Sequence, residues 1–176
     1  MNRIIFLTAA TIVLLTLSAC DRGTANQTTQ SNPAPSASTP WVLTSAPQGA
    51  ISITQAKATA KEGDQVIIQG RIGGRKSPIS ADSPVFTIVD MELPYCGQHN
   101  DDNCSSPWDY CCETPDTITA NAATVQIVVG DPSTSTVDPV AEGFEPLDEV
   151  ILVGTIGPRP DDQVLVIQAT SIYKAN

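Results

Sequence analysis

Histidine is nearly missing from this chain: His99 is the only one in 176 residues. Acid–base catalysis near neutral pH leans on histidine. Catalysis here would rest on carboxylates instead, and no spacing of Asp and Glu singles out a pair. There is no Gly-x-Ser-x-Gly elbow and no Cys-x-x-Cys knuckle. The stretch from Gly70 to Ser77 looks like a phosphate-binding loop, but Arg75 stands where the second glycine belongs. Pro78 also blocks the helix whose N-terminus would hold the phosphate. A catalytic role therefore has no support, and no cofactor is expected. Positive charge is scarce as well, with 9 Lys and Arg against 19 Asp and Glu and a formal net charge of -10. Such a surface repels phosphate backbones and anionic headgroups, which counts against a nucleic-acid partner without excluding one. Finally, no apolar run is long enough for a bilayer span of roughly 20 residues.

The longest apolar run, residues 4–17, is interrupted only by Thr8, Thr11 and Thr16 and follows Arg3. A short apolar run behind a positive start reads as a secretory signal. It ends in Leu17-Ser18-Ala19-Cys20, which resembles the lipobox of bacterial lipoproteins at every position. The resemblance implies cleavage after residue 19 and a diacylglyceryl group on Cys20. Acyl chains buried together anchor a protein firmly, at about 0.8 kcal/mol per methylene. The expected location is the cell envelope, outside the cytoplasm, with the membrane itself as a partner through the lipid.

Residues 20–48 read as a tether. They are Ser, Thr, Asn, Gln, Ala and Pro, with Val42 and Leu43 almost the only aliphatics. Such a segment cannot bury enough surface to offset its ordering entropy, and its prolines favour an extended spacer. Trp41 alone is suited to pack on a domain or touch headgroups.

Residues 49–176 suffice for one small domain. Ser52 with Gln55 three residues later forms a capping box, opening a short helix that Gly63 can stop. Five runs rich in β-branched residues then follow at 65–72, 85–90, 123–129, 149–156 and 164–173, each reading as a strand. Between the third and fourth, residues 137–144 leave room for a turn or irregular crossover, since Pro132, Pro139 and Pro146 oppose a long helix.

The order of these pieces resembles the OB-fold. Gly63-Asp64 leads into Val66-Ile67-Ile68-Gln69-Gly70-Arg71-Ile72, similar to the bent first strand of that family. Phe86-Thr87-Ile88-Val89-Asp90 is similar to its second strand, residues 150–156 to its fourth and residues 167–172 to its closing strand. The resemblance implies a mainly β fold: a small five-stranded Greek-key barrel with a short N-terminal helix. It departs from the pattern between strands two and three, where residues 91–122 form a Cys-rich insertion.

That insertion holds Cys96, Cys104, Cys111 and Cys112 and the single His99. A long loop with so much special chemistry is functional or cross-linked. Three readings stay open. An oxidising compartment favours two disulfides, pairing Cys96 with Cys111 and Cys104 with Cys112, or Cys96 with Cys112 and Cys104 with Cys111; a bond between neighbours 111 and 112 would be strained. A zinc or copper site could draw on Cys96, His99, Cys104, Cys111 and Cys112, with Asp101, Asp102, Asp109 and Glu113 offering oxygens. A redox pair at Cys111-Cys112 lacks a nearby base to lower a thiol pKa.

Arg71, Arg75 and Lys76, at the end of strand one and beyond, form the one basic cluster, with Arg159 in the loop after strand four. In OB folds these two loops help line the ligand face. The leading expectation is a membrane-tethered, non-catalytic OB-type binding module for an envelope protein or small ligand. The alternatives are a metal-binding or thiol redox protein using the cysteine loop, and an oligonucleotide or oligosaccharide binder using Arg71, Arg75, Lys76 and Arg159.

Overall fold

The first strand, β1 (Gln65–Ile72), buries Val66, Ile68, Gly70 and Ile72, alternate residues of one face. That period of two is what a half-buried strand demands. It recurs in β2 (Val85–Val89), β3 (Ala122–Ile127), β4 (Glu149–Ile156) and β5 (Val166–Lys174). The computed structural model describes residues 41–99, 104–130 and 137–175. The expected signal segment, Cys20, the tether up to residue 40, Asp101, Asp102 and Pro132 lie outside them.

The strands close a barrel in the order β1-β2-β3-β5-β4. β1 pairs antiparallel with β4 from Gln65↔Thr155 to Arg71↔Glu149, and β3 pairs parallel with β5. Placing β5 between β3 and β4 requires the crossover that the OB resemblance implies, so the mainly β, OB-like barrel is the observed fold. The inward faces supply the core: Ile68, Ile72, Phe86, Ile88, Val125, Leu152, Ile167 and Ile172 are among its fully buried members.

One end of the barrel is closed by α1 (Ile53–Thr59), whose Ile53 and Ala56 are fully buried. Ser52 caps it by accepting the Gln55 N–H at 3.1 Å. The helix ends at Thr59, where Ala60 turns extended, before the expected stop at Gly63, and Arg159 donates to the carbonyls of Lys57 and Ala60 at that end. Gly70 sits beneath it: a Cβ there would lie 3.0 Å from Ile88 Cδ1 and 3.2 Å from Ile53 Cδ1. The glycine marks a close approach of helix to strand.

Contact with the barrel begins well before residue 49. Trp41 is buried and stacks on Phe144, with ring centroids 6.0 Å apart. Leu43 N–H donates to the Ile172 carbonyl at 2.7 Å, and Ile51 N–H to that of Ile67 at 2.9 Å. The segment expected to finish the tether is thus held from Trp41 onward, its backbone hydrogen bonds compensating for its lack of aliphatics. A second helix, α2 (Pro115–Asn121), ends the insertion and runs straight into β3.

Candidate functional site

The insertion between β2 and β3 is hung from Asp90, which is buried. Its Oδ2 accepts both the N–H and the hydroxyl of Thr54 at 3.0 Å, and its Oδ1 accepts the Glu92 N–H at 3.2 Å. Farther along, a single 3-10 turn at Pro107–Asp109 locks onto the β1–β2 connection. Gly74 N–H donates to the Trp108 carbonyl at 2.8 Å, and Trp108 Nε1 donates to the Lys76 carbonyl at 3.0 Å. The fit is tight at Gly73, where a Cβ would meet the Tyr110 ring at 2.8 Å and the Trp108 carbonyl oxygen at 2.9 Å. Tyr110 itself has a left-handed backbone, φ 58 and ψ 36. That bend lets Cys111 and Cys112 turn back toward Cys96 rather than run on past it.

Three of the four cysteines, Cys96, Cys104 and Cys111, converge. Cys111 Sγ lies 3.5 Å from Cys96 Sγ and 3.4 Å from Cys104 Sγ. Cys112 also interacts with Cys96. Cys96 is buried, Cys104 is half-buried, and Cys111 and Cys112 are exposed. No sulfur–sulfur bond joins Cys96, Cys104 and Cys111 in this structure. Cys111 is nearly equidistant from Cys96 and Cys104, each a partner that one of the two expected disulfide pairings would give it. Burial works against a Cys96 thiolate, but hydrogen bonds from Cys112, Cys111 and Cys104 outweigh it and hold that thiol below the ordinary cysteine range. Cys111 is driven the other way by its hydrogen bonds to Cys104 and Cys96.

Ligand-capable atoms of Cys96, Cys104, Asp109 and Cys111 all lie within 4.8 Å of one another. Asp109, however, is occupied. Its Oδ2 accepts the Ser106 hydroxyl at 2.7 Å and its Oδ1 accepts the Cys111 N–H at 2.9 Å. The Ser106 bond is the main reason its carboxyl sits below the usual range. These bonds make Asp109 an orienting group for Cys111 as well as the fourth member of the group, while Cys112 stands beside it through Cys96. Sulfurs about 2.3 Å from a zinc ion stand about 3.8 Å apart in a tetrahedron, close to what the thiols already show. A disulfide would need about 2.05 Å. His99 is exposed and outside this group, so the donor set is sulfur without imidazole.

The basic cluster does not converge. Arg159 spends its guanidinium on the carbonyls of Lys57, Ala60 and Asp162. Arg75 and Lys76 are exposed. Arg71 points outward from β1, yet it is buried because the insertion covers it. Its Nη2 pairs with Glu149 Oε1 at 3.3 Å, and its guanidinium carbon lies 5.1 Å from the Tyr95 ring centroid. Beside it, burial raises the Tyr110 hydroxyl above the usual tyrosine range while the guanidinium pulls it back. Arg71 and this hydroxyl interact, although neither Arg71 Nη1 nor Tyr110 Oη has a partner that meets full hydrogen-bond geometry. Arg71 and Arg159 are thus each engaged by neighbouring groups of the chain.

No family model matches the chain, and no curated protein matches it. Among solved structures it is similar to the hypothetical protein ygiW from E. coli, with a TM-score of 0.37 and 16% identity over 73% of this chain and 94% of that one. It is also similar to an aspartyl tRNA synthetase from Entamoeba histolytica, with a TM-score of 0.46 and 9% identity over 96% of this chain. The chain spans 29% of that synthetase's length. Likeness at this level carries no argument about ligand or activity, and the barrel rests on its own strand pairing.

Proposed function

We propose that the chain is an exported, lipid-anchored binding protein whose barrel carries a thiolate metal site built from Cys96, Cys104, Cys111 and Cys112. The observation that supports the site is the position of Cys111, 3.5 Å from one sulfur and 3.4 Å from another, with Cys112 interacting with Cys96. Two disulfides would divide the sulfurs into couples; one ion wants them together. A four-sulfur set suits zinc or another thiophilic d-block cation. Bound metal would also keep the thiolates from oxidation in an oxidising compartment. The role is binding rather than catalysis. A set of four thiolates leaves no open coordination position, and among the described residues no base accompanies a nucleophile.

The test is elemental analysis of the chain matured through an export pathway, together with its intact mass. We expect one transition-metal ion per chain and four thiols released by denaturation in chelator. A metal-free protein lighter by four hydrogens would mean two disulfides and sink the reading. The lipobox supports the location. Cys20→Ser should leave the protein unprocessed or free of membranes, and persistence on salt-washed membranes would remove the lipid from the account.

A further inference from the structure

The cysteines differ in what can reach them. Cys96 is buried, and its N–H donates to the Pro107 carbonyl at 3.3 Å. Cys104 is half-buried. Cys111 and Cys112 are exposed, and the reason is local. The Glu113 N–H donates to the Tyr110 carbonyl at 2.9 Å, which closes a tight turn with the two cysteines as its central residues. The gathered group of Cys96, Cys104, Asp109 and Cys111 therefore has a buried end at Cys96 and a solvent end at the tip of that turn.

The barrel does not depend on an ion at this place. None of the four cysteines belongs to its core cluster, which is aliphatic and aromatic throughout. An ion bound here would stand outside that core, beside sulfurs that solvent reaches. Thiolate zinc sites reach a Kd of about 1 pM. With return limited by diffusion, at roughly 10⁹ M⁻¹ s⁻¹, such an ion leaves unaided about once in a quarter of an hour. An incoming thiolate shortens that wait where it can touch the ion before a protein sulfur has let go, and exposed sulfurs are where it can.

We propose that the ion is exchangeable cargo, entering and leaving across Cys111 and Cys112 by ligand exchange with a carrier that presents a thiolate. This rests on the metal reading above. The step is a substitution without redox change. A bond from the carrier's sulfur to the ion forms as the bond to a cysteine of the turn breaks. The proton given up by the carrier thiol goes to the cysteine that leaves. Repeated at Cys104 and then at Cys96, the exchange passes the ion outward, and the reverse order loads it. Cys112 interacts with Cys96 yet stands outside the gathered group, so it is the first sulfur met from solvent and the last one left.

The experiment uses the mature chain loaded with Zn2+ in an excess of chromophoric chelator, with glutathione added in steps as the thiol. Release should speed up in proportion to glutathione, by about tenfold or more at millimolar thiol. Cys112→Ser should cut the ratio of assisted to unassisted release several-fold, whatever affinity it retains. Cys104→Ser removes a sulfur away from the turn and should leave that ratio within about twofold of the parent. A limiting dose of N-ethylmaleimide on the loaded chain, mapped by peptide mass, should mark Cys112 and Cys111 before Cys104, and Cys96 last. A chain that binds one Zn2+ but releases it at a rate independent of glutathione overturns the proposal and leaves the metal site standing as an enclosed one. So does first labelling at Cys96 or Cys104, or an unchanged ratio in Cys112→Ser. If Cys112→Ser holds no Zn2+, the labelling order on the parent decides. A parent chain that takes up no Zn2+ ends both readings together.

Discussion

In the barrel nearly every buried position is aliphatic or Phe, from Val66, Ile68 and Ile72 on β1 to Ile167 and Ile172 on β5. In the insertion between β2 and α2 the buried residues among those described are Asp90, Cys96 and Tyr110, with no aliphatic. The barrel coheres by removing apolar area from water, which is non-directional and tolerant of small shifts. The insertion coheres by directional contacts: the Asp90 carboxylate, the Trp108 hydrogen bonds and the gathered thiols. Each of those depends on its neighbours being in place. One chain thus contains a part that folds on burial and a part that needs its cysteine chemistry to hold a shape.

The largest separation of the two should come from taking that chemistry away. Chelator, or Cys112→Ser, should raise amide exchange around Cys96 and residues 104–113 by about a hundredfold, a local opening of the kind seen in low-stability segments. β1, β4 and β5 should keep their protection, because their ladders and core lie elsewhere. If barrel and insertion lose protection together, the division is wrong and the cluster is integral to the barrel.

The converse break is Gly70→Val. The added side chain would start 3.0 Å from Ile88 Cδ1 and 3.1 Å from the Val89 carbonyl oxygen, with Ile53 on the far side. Overpacking of this kind costs about 3 kcal/mol, or roughly 10 °C in Tm for a domain of this size. Here the insertion should follow, since it is seated on β1 and β2. Thermal unfolding with metal release as a second signal would show one shared transition; an unchanged Tm would remove the close approach at Gly70 from the account.

The same contrast governs what the sequence made legible. Burial of alternating aliphatics leaves a period of two, and β1 and β4 fall at the residues that this period marks. Ser52 with Gln55 marked α1 in the same local way. α2 was missed although its signal is present: Thr114 accepts the Thr117 N–H at 3.1 Å and Pro115 follows it, a cap and an N1 proline. Trp41 could not be placed, since its partner Phe144 is a contact of tertiary structure alone. The cysteines were legible as a set, but whether they pair or converge depends on the turn at Tyr110, which no spacing encodes. Arg71 was legible as part of a basic cluster, but its burial depends on residues of the insertion, Tyr95 among them, that lie against it.

A smaller effect tests the seam between the two regions. Gly73→Ala would set a methyl 2.8 Å from the Tyr110 ring and 2.9 Å from the Trp108 carbonyl oxygen. The insertion can lift away where the barrel cannot, so the cost should be about 1 kcal/mol, at the lower end for overpacking. It should appear as faster metal release to a chelator, with the barrel's Tm nearly unchanged. A fall in Tm as large as that of Gly70→Val would show that the seam belongs to the core.

The smallest effect expected is that of Asp109→Asn, and it decides the donor set. Asp109 lies within ligand distance of three of the thiols, so a site of three sulfurs and one carboxylate is the competing arrangement. Its two oxygens already accept the Ser106 hydroxyl and the Cys111 N–H. Asparagine can keep both contacts, because its amide oxygen still accepts the N–H and its NH2 can donate to the serine oxygen, which reverses roles. If Asp109 only orients Cys111, Asp109→Asn should weaken Zn2+ binding by less than about tenfold, the lower edge of what an outer partner contributes. Cys112→Ser, which removes a thiolate outright, should weaken it far more. Competition against a chromophoric chelator ranks the two directly. The reverse order would move Asp109 into the coordination sphere and leave Cys112 outside it, with three thiolates and a carboxylate as the site.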